Sequence, residues 1–310
     1  MKKNTYFSVI LATMVAMVSC DKNNDVENET LEVKFSSGIT ATPQPRVATT
    51  DAGISTWNVN DPIGIYMVAK GTTEIAESVA NIPYKATTAA ASTTFLPSGA
   101  TTIYYPVNEP AKVDFIAYHP HSATVADWVY PVDVSEQDPQ TDIDLMYARA
   151  TNSNTGYDKR SGSVDFKFSH ELVKLIIKLE KSDGVTGAVS GVEIHGMHTT
   201  ANFDLEGEDG LTDKDHLAAI IPFTATAGSK YEAILLPTDD DLRASHYMTF
   251  KIGAGTTGET YTWAMSNDID GGLEAGKIYI FTVTLTKYAV EAEGSINKWG
   301  VGTPAEGIAD

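Results

Sequence analysis

Apolar and polar residues alternate along this chain over short stretches, and most stretches end at a turn signal. The first is LEVKFSSGI. It puts Leu31, Val33 and Phe35 on one side of a strand and Glu32, Lys34 and Ser36 on the other. After the turn at Asn60-Asp61-Pro62, Ile63, Ile65 and Met67 alternate with Gly64, Tyr66 and Val68, which predicts a buried strand. Phe95 and Leu96 mark a short strand in an Ala/Thr/Ser-rich run. TTIYYPVN and KVDFIAYHP predict two more, joined by a turn at Asn108-Glu109-Pro110. Residues 119–142, with several prolines and acids, read as a surface loop, and DIDLMYARA reads as a further strand.

In GSVDFKFSHELVKLIIKLE, Val164, Phe166 and Phe168 alternate cleanly. From Val173 the apolar phase moves by one, to Val173, Leu175, Ile177 and Leu179. A one-residue phase change is what a β-bulge produces, so a bulge is expected between His170 and Leu172. Leu172, Leu175, Ile176 and Leu179 also fit a short helix from Glu171. The β-branched Val173, Ile176 and Ile177 favour the strand. Then follow VSGVEIHGM, ANFDLEG, LAAIIPF, YEAILLP, HYMTFKIG and ETYTWAM. In KIYIFTVTLTK, Tyr279, Phe281, Val283 and Leu285 face one way; the chain then returns through Val290 and Ile296 to Trp299. Many short strands with turns between them predict an all-β protein of sandwich type.

The chain has 310 residues, enough for two domains. The polar run 151–163 is the best boundary, giving an N-terminal domain over 47–160 and a C-terminal one over 161–310. The formal net charge of -19 argues against nucleic acid or anionic lipid as a partner. The single cysteine, Cys20, excludes an intrachain disulfide. Residues 1–20 have a basic start at Lys2 and Lys3 and an apolar run from Tyr6 to Val18, which together form a secretory signal. They end in Met-Val-Ser-Cys, similar to a bacterial lipobox, with Met17 in place of the usual leucine. Acylation of Cys20 would anchor the chain, since each buried methylene adds ~0.8 kcal/mol to membrane binding. Residues 21–46 then form an acidic tether and the first strand.

No catalytic constellation emerges, and neither a metal nor a cofactor is expected. Gly253 to Gly258 match a dinucleotide fingerprint as a pattern, but a strand follows where a helix is needed, so a hairpin loop is expected. His170-Glu171 lacks a second histidine four residues on. His119 and His121 read as solvated loop histidines. Asp204, Glu206, Glu208 and Asp209, and likewise Asp268 and Asp270, read as acidic turns rather than calcium sites. Three of the four tryptophans, Trp57, Trp128, Trp263 and Trp299, sit beside strands and are read as packing residues.

Taken in order, several segments resemble the fimbrillin family, the major- and minor-fimbria-like subunits of type V pili. These are the lipobox at Cys20, the strand LEVKFSSGI followed by Arg46, TWNVNDPIGIYMV, VDFIAYHP, DLMYARA, VDFKFSHELVKLIIKLE, YEAILLP and GKIYIFTVTLTKYAVEAEGSINKW. Family members usually carry Gly-Asp where this chain has Asn60-Asp61. The resemblance implies two tandem transthyretin-like β-sandwiches and a non-enzymatic structural or adhesive subunit of a surface fimbrium. It also implies export as an outer-membrane lipoprotein, then cutting by a trypsin-like protease between Arg46 and Val47. Loss of Leu31, Val33 and Phe35 would leave a groove that a strand of another fimbrial subunit fills. The tail after Trp299, GVGTPAEGIAD, makes a poor donor strand and suits a tip or accessory subunit. The other reading is a non-polymerising surface lipoprotein that binds a glycan or a host or bacterial surface protein.

Overall fold

The computed structural model describes residues 30–38, 56–108, 111–207, 210–238, 240–253 and 258–299. The fold is all-β, as the alternation predicts. One sheet has eight strands in the order β8-β1-β4-β3-β2-β5-β7-β9. These are β1 (Phe35–Gly38), β2 (Pro62–Ala69), β3 (Ile82–Ala86), β4 (Ser92–Pro97), β5 (Val113–His119), β7 (Met146–Ala150), β8 (Val164–Phe166) and β9 (Ser169–His170). Its outermost strands, β8 and β9, are consecutive in the chain, separated only by Lys167 and Phe168. The sheet therefore curls until its two edges meet. Val33, Phe35, Ile63, Ile65, Met67, Phe95, Phe115, Phe166 and Phe168 fill the core inside it.

The remaining strands form three sheets. Five strands run in the order β14 (Phe223–Thr226), β15 (Lys230–Leu235), β10 (Val173–Lys181), β18 (Lys277–Leu285) and β19 (Val290–Lys298). Three form β11 (Val189–His195), β16 (Tyr247–Ile252) and β17 (Glu259–Ala264), and three form β13 (Leu211–Leu217), β12 (His198–Asp204) and β6 (Val129–Asp133). Their second core also takes Tyr66, Val68, Ile116 and Tyr118 from the outer face of β2 and β5. Both faces of β2 and β5 are thus buried, which is why these strands read as nearly continuous apolar runs.

Several sequence expectations need correction. The phase change after Phe168 is not a bulge. Ser169 and His170 pair with β7 in the first sheet, whereas Val173 onward pairs with β15 and β18 in another. The residues between carry the chain from one sheet to the next, and that step resets which side faces a core. Residues 119–142 are not a plain loop either. They contain β6, which pairs with β12 and buries Tyr130 and Val132. Pro131 is tolerated there because β6 lies at a sheet edge. TTIYYPVN forms only a bridge, Tyr104 to Glu32. LAAIIPF is not a strand; β13 and β14 flank it. The boundary read at residue 160 falls before β8 and β9, which belong to the first sheet, and β6 from before it pairs with β12 from after it.

The Asn60-Asp61 turn has a clear cause. Asn60 adopts a φ of 74°, the left-handed region that glycine favours and asparagine tolerates better than most residues. Asp61 Oδ2 accepts the Asn58 N–H at 2.6 Å.

His119 is not a solvated loop histidine. It is buried in β5, with its Nδ1 at 2.8 Å from the Pro62 carbonyl and its ring edge-on to Trp57. Burial holds its pKa below the ordinary 6.5, against the pull of Asp144 and Asp61 and with the help of His170. The folded state keeps the imidazole neutral, while the unfolded chain takes up a proton as pH falls through that value. Stability is therefore retained above pH 6.5 and lost below it. Burial lowers His121 and His246 in the same sense. We expect the urea midpoint to fall between about pH 7.5 and about pH 5. His119→Gln should lose visibly less over that window, and an equal loss in both proteins would remove His119 from the account.

Candidate functional site

The segment from Leu31 to Gly38 lies between two partners. β1 pairs antiparallel with β4, Phe35 opposite Phe95 and Gly38 opposite Ser92. On its other side it pairs parallel with β8, Phe35 opposite Val164. Upstream, the Val33 N–H donates to the Ile103 carbonyl at 2.9 Å, and the Tyr105 N–H donates to the Leu31 carbonyl at 2.9 Å. The Val164 N–H donates to the Lys34 carbonyl at 2.8 Å. This is an interior strand, and its removal would expose two rows of backbone groups at once.

Its side chains divide as alternation demands. Val33, Phe35 and Ser37 are buried. Phe35 sits in an aromatic cluster, edge-on to Tyr84 and Phe115 at 5.2 and 5.3 Å and stacked on Phe166 at 5.6 Å. Leu31 departs from the expectation. It has the right parity but is 47% exposed, because the chain there makes only an isolated bridge, Glu32 to Tyr104, among the described residues. Ser37 takes the third inward place that alternation offered, and its Oγ has no hydrogen-bond partner among the described residues. On the outer face, Lys34 pairs with Glu32 at 2.5 Å and Ser36 lies 3.2 Å from Asp165.

The slot walls are fixed by buried phenols. Tyr84 Oη accepts the Ile103 N–H at 2.9 Å, and Tyr105 Oη donates to the Gly162 carbonyl at 2.8 Å. Burial raises the pKa of both, so both stay neutral donors or acceptors at any ordinary pH.

Cys20, Arg46 and Val47, the expected anchor and cut site, lie outside the described residues, as does the tail beyond Trp299. The Gly253–Gly258 stretch joins β16 to β17, with Ile252 opposite Glu259, as expected of a hairpin. Trp57, Trp263 and Trp299 are buried packing residues, and Trp128 lies against Tyr66 at 4.4 Å. His170 bonds Asp144 at 2.7 Å and stacks on Trp299 at 3.9 Å. Asp204 accepts the Glu206 N–H, and Asp268 the Trp263 indole N–H. Among the described residues no group of three or more His, Cys, Asp or Glu is placed to hold a metal.

Burying Val33 and Phe35 contributes roughly 1.5–3 kcal/mol each, a large share of the ~5–15 kcal/mol that stabilises a typical domain. Phe35→Ala should cost about 3–5 kcal/mol in chemical denaturation. Leu31→Ala, at a half-exposed position, should cost clearly less, and equal costs would contradict this division of the strand.

Similar proteins point the same way. A fimbrillin-like family model matches residues 46–299. The chain is 33% identical to a proposed fimbrium subunit, Fim1C, of Bacteroides uniformis, over 99% of this chain and 97% of that protein. Among solved structures, a proposed cell adhesion protein from Bacteroides uniformis shares 30% identity and a TM-score of 0.71, over 87% of this chain and 98% of the other. One from Bacteroides ovatus, at 20% identity and a TM-score of 0.63, shares the fold over the same fractions. The chain belongs to the fimbrillin-like family and is a fimbrial subunit, not an enzyme.

Proposed function

We propose that this fimbrial subunit is exported as a lipoprotein acylated at Cys20, and that proteolysis between Arg46 and Val47 then frees β1. The emptied slot between β4 and β8 takes an extended strand from another subunit, and the fimbrium grows by strand exchange. The observation that carries this reading is the place of β1, an N-terminal strand hydrogen-bonded on both sides within an otherwise continuous sheet. The family match supports it: it begins at residue 46, beyond β1, and runs to Trp299.

The chemistry of the slot suits an incoming strand. Any replacement meets unpaired backbone on both walls and an apolar cavity vacated by Val33 and Phe35. It regains most of what β1 contributed, so the exchange is near-neutral in contacts and is driven by the cut that lets β1 go. The tail GVGTPAEGIAD offers only Val301 and Ile308 as sizeable apolar residues, so this subunit accepts a strand more readily than it donates one. A tip or accessory position follows.

Intact mass and N-terminal sequencing of protein from the native cell surface test the first step. A chain starting at Val47 is expected; acylated Cys20 as the sole start would sink the reading. Locking the strand tests the second step. Ser36 and Thr94 are register partners on the outer face of β1 and β4, at a spacing that accepts a disulfide. Ser36→Cys with Thr94→Cys should keep the subunit out of fimbriae until a reductant is added. Unchanged incorporation of the oxidised form would show that β1 need not leave.

A further inference from the structure

The C-terminal half carries an open groove, lined by no residue of β1, β4 or β8, that the assembly reading does not use. It lies where two sheet edges approach each other. One wall is the start of β17, the outer strand of its three-stranded sheet. The other is the hairpin from Thr286 to Val290 that joins β18 to β19, the outer strand of the five-stranded sheet. The groove has a volume of about 500 Å³ and is broadly open to solvent.

Its side chains are of two kinds. Tyr261 and Tyr288 supply aromatic surface, and Glu259, Thr260, Thr262 and Lys287 supply polar atoms. Tyr288 is 90% exposed, the most exposed large apolar side chain among the described residues. It stands on a rigid turn: Thr286 Oγ1 accepts the Ala289 N–H at 2.9 Å, and the Thr286 N–H donates to the Ala289 carbonyl at 2.9 Å. Tyr261 packs its ring against the second core while its hydroxyl donates to Glu259 Oε2 at 2.6 Å. That bond fixes the carboxylate at the groove wall and leaves its other oxygen free to accept. Lys287 Nζ is engaged with the Tyr288 ring at 5.8 Å.

An exposed tyrosine on a stiff turn contributes little to folding, yet presents a rigid amphipathic face at low entropic cost. A sugar ring matches such a surface. Its C–H face stacks on the aromatic ring, and its hydroxyls reach carboxylate and threonine oxygens. A groove broadly open to solvent suits several linked rings better than one enclosed ligand. The net charge of -19 disfavours sulfated or otherwise anionic chains.

We propose that the groove between Tyr261 and Tyr288 is a binding site for a neutral oligosaccharide of linked hexose or N-acetylhexosamine units. The site is independent of the strand slot and is present in the uncut chain. Titrating the full chain with maltohexaose, cellohexaose and chitohexaose, followed by saturation-transfer NMR and calorimetry, tests it. At least one should bind. Tyr288→Ala, at a position too exposed to disturb folding, should weaken it about tenfold. Glu259→Gln should weaken it less, and both variants should keep the parent's melting temperature. Binding by none of the three, or binding that Tyr288→Ala leaves unchanged, overturns the proposal. Tighter binding of dextran sulfate than of any neutral hexamer overturns its choice of ligand.

Discussion

The eight-stranded sheet depends on one interposed strand. β1 is short, but among the described residues it is the strand that lies between β4 and β8, and it satisfies backbone groups on both. Because β8 runs on through Lys167 and Phe168 into β9 at the opposite edge, β1 also completes the closure of the sheet around its core. Phe35 concentrates this role in one ring, which touches residues from β3, β5 and β8. Phe35 lies on the first strand among the described residues.

Closure also explains how the two cores are coupled. β2 and β5 show one face to the first core and the other to the second, so neither core forms independently of them. The link after Phe168 leaves one sheet and enters the next within a few residues, and β6 reaches across to β12. His119 sits near this crossing, as do His170, Asp144 and Trp299. The buried His119 imidazole there ties β5 to the Pro62 carbonyl of β2, a polar contact that a purely apolar junction would lack, at the expense of stability in acid.

The two surfaces with functional readings differ in kind. The β1 slot is hidden while the strand is in place, so its chemistry is that of a core: apolar, aromatic and closed to water. The groove beside Tyr288 is open at all times and mixes rings with carboxylate and hydroxyl groups. The first suits a strand held by backbone hydrogen bonds, and the second a ligand that must be met from solution.

Much of this was legible in the chain. Alternation at Val33 and Phe35, at Ile63 to Met67 and at Tyr279 to Leu285 identified strands and their inward faces, because a pleated strand has a period of two whatever it pairs with. Cys20 and Arg46, with the order of segments, pointed to the family. Alternation names a face but not a partner, and that limit accounts for what was missed. Leu31 has the parity of a core residue, yet it stays half exposed among the described residues. The phase shift near His170 looks the same in sequence whether it marks a bulge or a change of sheet. The alternation of β6 was masked by Pro131 and the acids around it, and became a strand only because β12 lay alongside. The contact between Ser36 and Asp165 spans 129 positions, and no local signal encodes it. The sequence by itself determined most of the strands and which side of each is apolar. Tertiary structure decided which strands meet, so it alone made β1 the strand that closes a sheet.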